Sequence, residues 1–262
     1  MHRRTLLAAL AALALAAGRL PAQDQFTITS AAVGEARLVN VHTPRAYAAA
    51  PAARFPVLYM PDGGLDEDFP HVVATVDSLI AAGTIRPVLV VGIPNTQRRR
   101  DLTGPTRVAS DSAIAPRVGG SAAFRQFLRD ELIPAVDARY RTSEERAIVG
   151  ESLAGLFVVE TFLLEPNLFD HYVALDPSLW WNAGALLDSA PARLAAFDAG
   201  SRTLYLASSN VGEIADATLR LDALLRAQSP AGLAWVYTPR PDLTHATIFR
   251  GMEAAALAAA LR

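Results

Sequence analysis

The sequence predicts an α/β fold: a doubly wound, mainly parallel sheet with an antiparallel edge at its N-terminal end. Three observations predict it. Unbroken apolar runs such as Phe55–Met60 and Pro87–Ile93 have the length and composition of strands buried on both faces. Such runs alternate with stretches whose apolar groups recur at helical spacing. The first region, "FTITSAAVGEARLVNVHTP", instead alternates residue by residue, as one or two half-buried strands do.

Each element follows in order. "FPVLYM" is a strand closed by the tight turn "PDGG", and residues 68–82 are a helix. "PVLVVGI" is the next strand, followed by a long polar stretch from Arg98 to Gly119, the one irregular segment, of the kind that often lies over a site. "SAAFRQFLRDELIPAVDARY" is helical with Ser121 as a fitting N-cap. Then come "RAIVG" as a strand, Leu153–Leu164 as a helix, "HYVALDP" as a strand and a helix near 183–197. "TLYLASS", a helix over "EIADATLRLDALLRAQ", "LAWVYTP" and a closing helix over Ile248–Leu261 complete the alternation. No linker or repeat divides the chain, so residues 24–262 are expected to form a single domain.

The bulk numbers exclude whole classes of chemistry. With 262 residues and 52% hydrophobic content the chain can bury a proper core. A net charge of −2 gives no general case for a nucleic-acid or anionic membrane partner. All the basic residues are arginine, so a lysine base or Schiff base is excluded. There is no cysteine, which removes disulfides, thiol catalysis and thiolate-ligated metals. No H-E-x-x-H spacing offers a zinc site, and neither a metal nor an organic cofactor is expected.

The N-terminus carries a basic start at Arg3-Arg4, an apolar run from Leu6 to Ala17, and small and polar residues around Pro21-Ala22-Gln23. This is the layout of a secretory signal peptide over residues 1–23, with a mature start near Gln23 to Gln25 in a bacterial periplasm or beyond. The apolar run is short of the roughly 20 residues a membrane span needs, although an uncleaved anchor is the alternative. Both the general export route and a twin-arginine route fit the two arginines.

The chemistry centres on "IVGESLAG", residues 148–155. It is close to the G-x-S-x-G elbow, in which a sharp strand-to-helix turn presents a serine at the carboxyl edge of the sheet; the last position here is Ala154. A serine needs a base, and His245, after the last strand, stands where the base belongs in the serine–acid–histidine order of such folds. His2, His42, His71 and His171 are out of that order. For the acid, Glu213, just past the penultimate strand, is the first choice, with Asp216 and Asp176 as alternatives and a Ser–His dyad as a further one. The oxyanion amides are expected at Leu153 and in the Asp62–Leu65 turn, with Gly64 favoured.

Four stretches then carry a family resemblance: "VLYMPDGG", "VVGIPNTQRRRDLTG", "IVGESLAGLFVVETFLLEPNLFDHYVALDPSLWWN" and the "LTH" before the last helix. They resemble the "Putative esterase" family of α/β-hydrolases, which includes esterase D-like enzymes, siderophore trilactone esterases and feruloyl esterases. The resemblance implies an α/β-hydrolase fold, Ser152 as nucleophile and His245 as base, and a pocket near Trp180, Trp181 and the Arg98–Thr103 stretch. Arg100 would there either orient an anionic substrate or, as its neighbour Asp101 favours, form an ion pair. Glu151 stands where many relatives have histidine, and Ala154 where they have glycine. The expected activity is an exported serine esterase acting on a small-molecule ester; acyl transfer, peptide hydrolysis and a non-catalytic binding protein are the competing readings.

Overall fold

The computed structural model describes residues 22–262 except Ala199 and Ser229. The leader expected over residues 1–23 therefore lies outside the described residues, save for Ala22 and Gln23, which open the first strand. Eight strands form one sheet: β1 (Ala22–Ser30), β2 (Glu35–Thr43), β3 (Phe55–Pro61), β4 (Leu89–Ile93), β5 (Thr142–Glu151), β6 (His171–Leu175), β7 (Arg202–Ser208) and β8 (Leu233–Pro239). Their spatial order is β1-β2-β4-β3-β5-β6-β7-β8. β1 and β2 pair antiparallel, β2 meets β4 antiparallel, and every later pairing is parallel. The expected antiparallel edge and parallel centre are both present.

Alternate residues of the central strands feed two apolar layers, one on each face. Val57 and Tyr59 of β3 join the layer that holds the helix Leu153–Leu164, while Leu58 and Met60 join the layer beneath the helices Phe69–Ala81 and His245–Ala260. Each fully buried Leu, Val or Phe contributes about 1.5–3 kcal/mol. The helix Leu153–Leu164 is apolar on nearly all sides because it is the buried helix, its side chains enclosed almost throughout.

Four expectations need correction. β5 begins at Thr142, ahead of "RAIVG", because Thr142 pairs with Phe55 across a register shift. The stretch from Arg98 to Gly119 is not irregular throughout; it contains short helices at Arg98–Asp101 and Ala109–Ala113. The helical run from Ser121 to Arg139 loosens into a π-turn at Leu128–Leu132, just before Pro134. The last helix starts at His245 rather than Ile248, since Thr244 and Thr247 form a reciprocal capping box that fixes its first turn.

Candidate active site

Three parallel strands deliver the polar groups of the site to one edge of the sheet. β5 ends at Glu151 opposite Leu175 of β6, so Ser152 and Asp176 leave the sheet side by side. Ser152 has φ 59° and ψ −120°. That is a left-handed conformation a serine holds only where its surroundings enforce it, at a cost of about 1–3 kcal/mol. The enforcement is visible: Ser152 N–H donates to Leu175 O at 3.1 Å, while its carbonyl accepts from Leu156 at 2.9 Å and Ser178 at 3.1 Å. Gly150 makes the turn possible, because a Cβ there would lie 2.6 Å from the backbone of Ala154. The same contact explains why alanine suffices at 154: the bare glycine opposite leaves room for its one methyl.

Asp176 is fully buried and also has a positive φ, 48°. Its amide bonds Ala207 of β7 at 2.8 Å, which places its carboxylate against Ser209: Oδ1 accepts from the Ser209 amide at 2.6 Å and Oδ2 from the Ser209 hydroxyl at 2.8 Å. The third donor is His245, whose Nδ1 lies 2.6 Å from Asp176 Oδ2. The carboxylate that meets the histidine is thus Asp176, not Glu213, the first choice on sequence. Glu213 is exposed in the first turn of the helix Gly212–Gln228, where a carboxylate suits the helix dipole, and Asp216 is exposed on the same helix.

His245 is the first residue of its helix, and the approach to it is pinned by bonds from Arg240 N to Ser208 O (2.7 Å) and from Asn210 N to Leu243 O (2.9 Å). With Nδ1 held by Asp176, Nε2 is the nitrogen without a hydrogen bond among the described residues. The hydrogen bond to Asp176 raises the His245 pKa against the opposing effect of burial. Burial pushes the Asp176 carboxyl up, but the bonds from His245 and Ser209 outweigh it and leave it below the usual carboxylate value. The Ser152 hydroxyl lies 3.5 Å from the buried Ser178 hydroxyl.

A second carboxylate, Glu151, reaches the same histidine: Oε1 is 3.3 Å from His245 Nδ1, and the side chain is 17% exposed. Burial pushes Glu151 up to about 7, against the pull of His245 and Arg98. The ligand atoms of Glu151, Asp176 and His245 all lie within 4.8 Å of one another, a spacing a cation would accept. Asp176, however, already has three hydrogen-bond donors, which suits an orienter of imidazole.

The two expected oxyanion amides differ. Leu153 opens the helix Leu153–Leu164, and its N–H has no acceptor among the described residues. Gly64 N–H is occupied: it donates to Glu67 Oε2 at 2.7 Å, and Asn95 Nδ2 holds the other oxygen of Glu67 at 2.8 Å. Gly63 lets this turn press on β4, since a Cβ there would lie 2.3 Å from the Gly92 Cα. Arg98 joins the turn to the elbow through a two-pronged bond to Asp62 (2.7 and 2.8 Å) and a longer one to Glu151 O (3.5 Å).

The remaining expected residues lie as follows. Arg100 pairs with Glu35 at 2.8 Å and Asp101 at 2.6 Å, the ion-pair arrangement that its sequence context favours. Trp181 is buried and donates its indole N–H to Gly104 O at 2.8 Å; Trp180 is half-buried beside it, the ring centres 6.1 Å apart. Asn182 completes a staple to the Gly104–Asp111 stretch, its amide on Asp111 Oδ2 at 2.8 Å and its side chain accepting from Arg107 N at 2.9 Å. An open pocket of about 580 Å³ lies between Gln97–Arg100 and Ala115–Arg117. Sequence reasoning missed Ser178, Ser209, Glu67 and Asn95, which are common polar residues without any motif of their own.

Comparison with known proteins places the chain in an esterase family. Residues 30–219 match the model of the Esterase family, described as "Putative esterase". Ferri-bacillibactin esterase BesA of Bacillus subtilis is 30% identical over 157 residues, which are 52% of this chain and 52% of BesA. The siderophore triacetylfusarinine C esterase of Aspergillus fumigatus is 31% identical over 188 residues, covering 66% of this chain and 61% of the relative. The chain thus spans only about half to three-fifths of these curated relatives. Among solved structures, an IroE-like serine hydrolase from Shewanella oneidensis superposes with a TM-score of 0.82 at 27% identity, covering 91% of this chain and 79% of that one. The fold is of the α/β-hydrolase type.

Proposed function

This chain belongs to the "Putative esterase" family, and from that premise we propose that it hydrolyses small-molecule carboxylic esters through an acyl-enzyme on Ser152. The observation that carries the reading is the strained Ser152 at a strand end, next in sequence to Glu151, which reaches a histidine whose Nδ1 is held by a buried, hydrogen-bonded carboxylate. Ser152 Oγ attacks the ester carbonyl as His245 Nε2 takes its proton, and Asp176 keeps the imidazole in the Nδ1–H tautomer and stabilises the imidazolium. The carbonyl π pair moves to oxygen, where the Leu153 amide donates to it at the positive end of its helix. Gly64 adds a second donor when the oxyanion displaces Glu67. The protonated histidine then gives its proton to the leaving alkoxide, and water repeats the sequence to release the acid. Ser152 Oγ and His245 Nε2 share no hydrogen bond among the described residues, and this reading requires one to form when substrate is bound.

The substrate class in this reading is an ester bearing negative charge. Two supports are the siderophore esterases among the relatives and an arginine-lined pocket whose Arg98 also reaches Glu151 O and in which Arg117 has no ion pair among the described residues. Residues 1–23 support export, and N-terminal sequencing of the extracytoplasmic protein is expected to begin near Gln23 to Gln25; an intact Met1 there would refute it. The decisive test of the activity is Ser152→Ala with p-nitrophenyl esters and a trilactone substrate. A loss of about 10³-fold or more in kcat is expected, together with loss of fluorophosphonate labelling, and hydrolysis at the wild-type rate would sink the mechanism.

A further inference from the structure

The residue that most sets this elbow apart is the carboxylate immediately before the serine. Glu151 is the last residue of β5, and its side chain turns towards the histidine rather than into solvent. Its Oε1 is buried and makes no hydrogen bond of good geometry, although it lies 3.3 Å from His245 Nδ1. A buried carboxylate oxygen without a donor is costly unless a cation forms nearby. The only group here that gains a positive charge during the proposed reaction is His245. Asp176 at 2.6 Å holds the proton of Nδ1 in the resting state, so Glu151 is placed to answer the charge of the imidazolium rather than to fix the tautomer.

We propose that Glu151 is a second positioning residue for the base: it shares the Nδ1 edge of His245 with Asp176 and sets the pH at which His245 becomes a free base. The inference rests on the reading of Ser152 and His245 given above. The charged groups facing Glu151 come from four elements: His245 on the last helix, Arg98 on the short helix after β4, Asp176 after β6 and Asp62 after β3. Arg98 and His245 favour its ionised form, whereas Asp176, Asp62 and above all burial oppose it. Glu151 and His245 therefore titrate against each other: the loss of a proton from one makes the other harder to deprotonate.

The sign follows from electrostatics. An ionised Glu151 stabilises the imidazolium, raises the His245 pKa and delays the appearance of the free base as pH increases. Removing that charge moves the acidic limb of kcat/KM to lower pH. A neighbouring charge within a few ångströms commonly shifts a pKa by about one unit, so Glu151→Gln is expected to move the limb down by about 0.5–1 pH unit. On the alkaline plateau kcat should drop a few-fold with KM little changed, since the imidazolium of the transition state loses part of its support. A residue that only packs the elbow would leave the midpoint where it is.

The experiment is a pH profile of kcat/KM on a p-nitrophenyl ester for wild type and Glu151→Gln, with Ser152→Ala as control. A midpoint for Glu151→Gln within about 0.2 units of wild type would overturn the inference while leaving Ser152 chemistry intact, whereas full activity in Ser152→Ala would overturn the reading on which it rests. If Glu151→Gln does not fold, NMR titration of the His245 ring protons in the wild-type protein decides the matter. Two inflections, one from each group, are expected, and a single one overturns the coupling.

Discussion

Two clusters of carboxylates and cations behave in opposite ways. In the first, the buried Arg37 meets Asp101 at 2.6 Å and Glu35 at 3.0 Å, and Arg100 bridges the same two acids. Two guanidiniums face two carboxylates, with Thr96 and Pro94 O taking further guanidinium protons. The result is a closed set in which the bond from Arg100 holds Glu35 down at about 2, despite some burial. In the second cluster, two carboxylates face one imidazole, and the surplus appears as a Glu151 pushed up to about 7. The balanced cluster fixes the Arg98–Thr103 stretch onto β2. The unbalanced one is where protons can move. Charge bookkeeping within a few ångströms, and not residue type, separates a structural ion network from a candidate site.

The largest effect that would sharpen the contrast is at Asp176. Asp176→Asn preserves shape but reverses the hydrogen-bond preference at His245 Nδ1, and kcat is expected to drop by about 10³–10⁴-fold with the unfolding midpoint changed little. The matched substitution Glu213→Gln should leave kcat within about twofold; a large loss there, with Asp176→Asn active, would restore the reading that the sequence alone favours. Next in size is Asp101→Ala, which leaves the Arg37 charge buried beside Glu35 alone. A loss of about 3–5 kcal/mol in denaturant stability is expected, and folded protein should keep its ester hydrolysis within a few-fold. If Asp101→Ala instead removed activity without destabilising the chain, the division between the two clusters would be wrong.

Much of the fold was legible because it rests on local patterns. The apolar runs at Phe55–Met60 and Pro87–Ile93, the alternation of the first two strands and the G-x-S elbow are all read within a window of a few residues. Ser152 and His245 were legible as candidates because their places follow from chain order in such sheets. The acid was not, because it depends on register: Asp176 faces Ser209 only because Leu175 pairs with Ala207. The engagement of Gly64 by Glu67 depends likewise on a three-residue turn closing on itself. The contact of Glu151 with His245 joins residues 94 positions apart by number (245 − 151), through a side-chain direction that no periodicity encodes. The early start of the last helix turned on a capping pair, Thr244 and Thr247, that "LTHAT" does contain and that marks His245 as helical.

The staple formed by Trp181 and Asn182 has a consequence of its own. By gripping Gly104 O, Asp111 and Arg107 N, it holds the Gly104–Asp111 segment, whose Gly104 and Pro105 wall a recess of about 290 Å³ together with Trp181 and Asn182, before any ligand arrives. The entropy lost in ordering that wall belongs to folding and not to binding. A ligand entering that recess would therefore meet a preorganised wall, and discrimination between ligands should lie more in how long they stay than in how fast they enter.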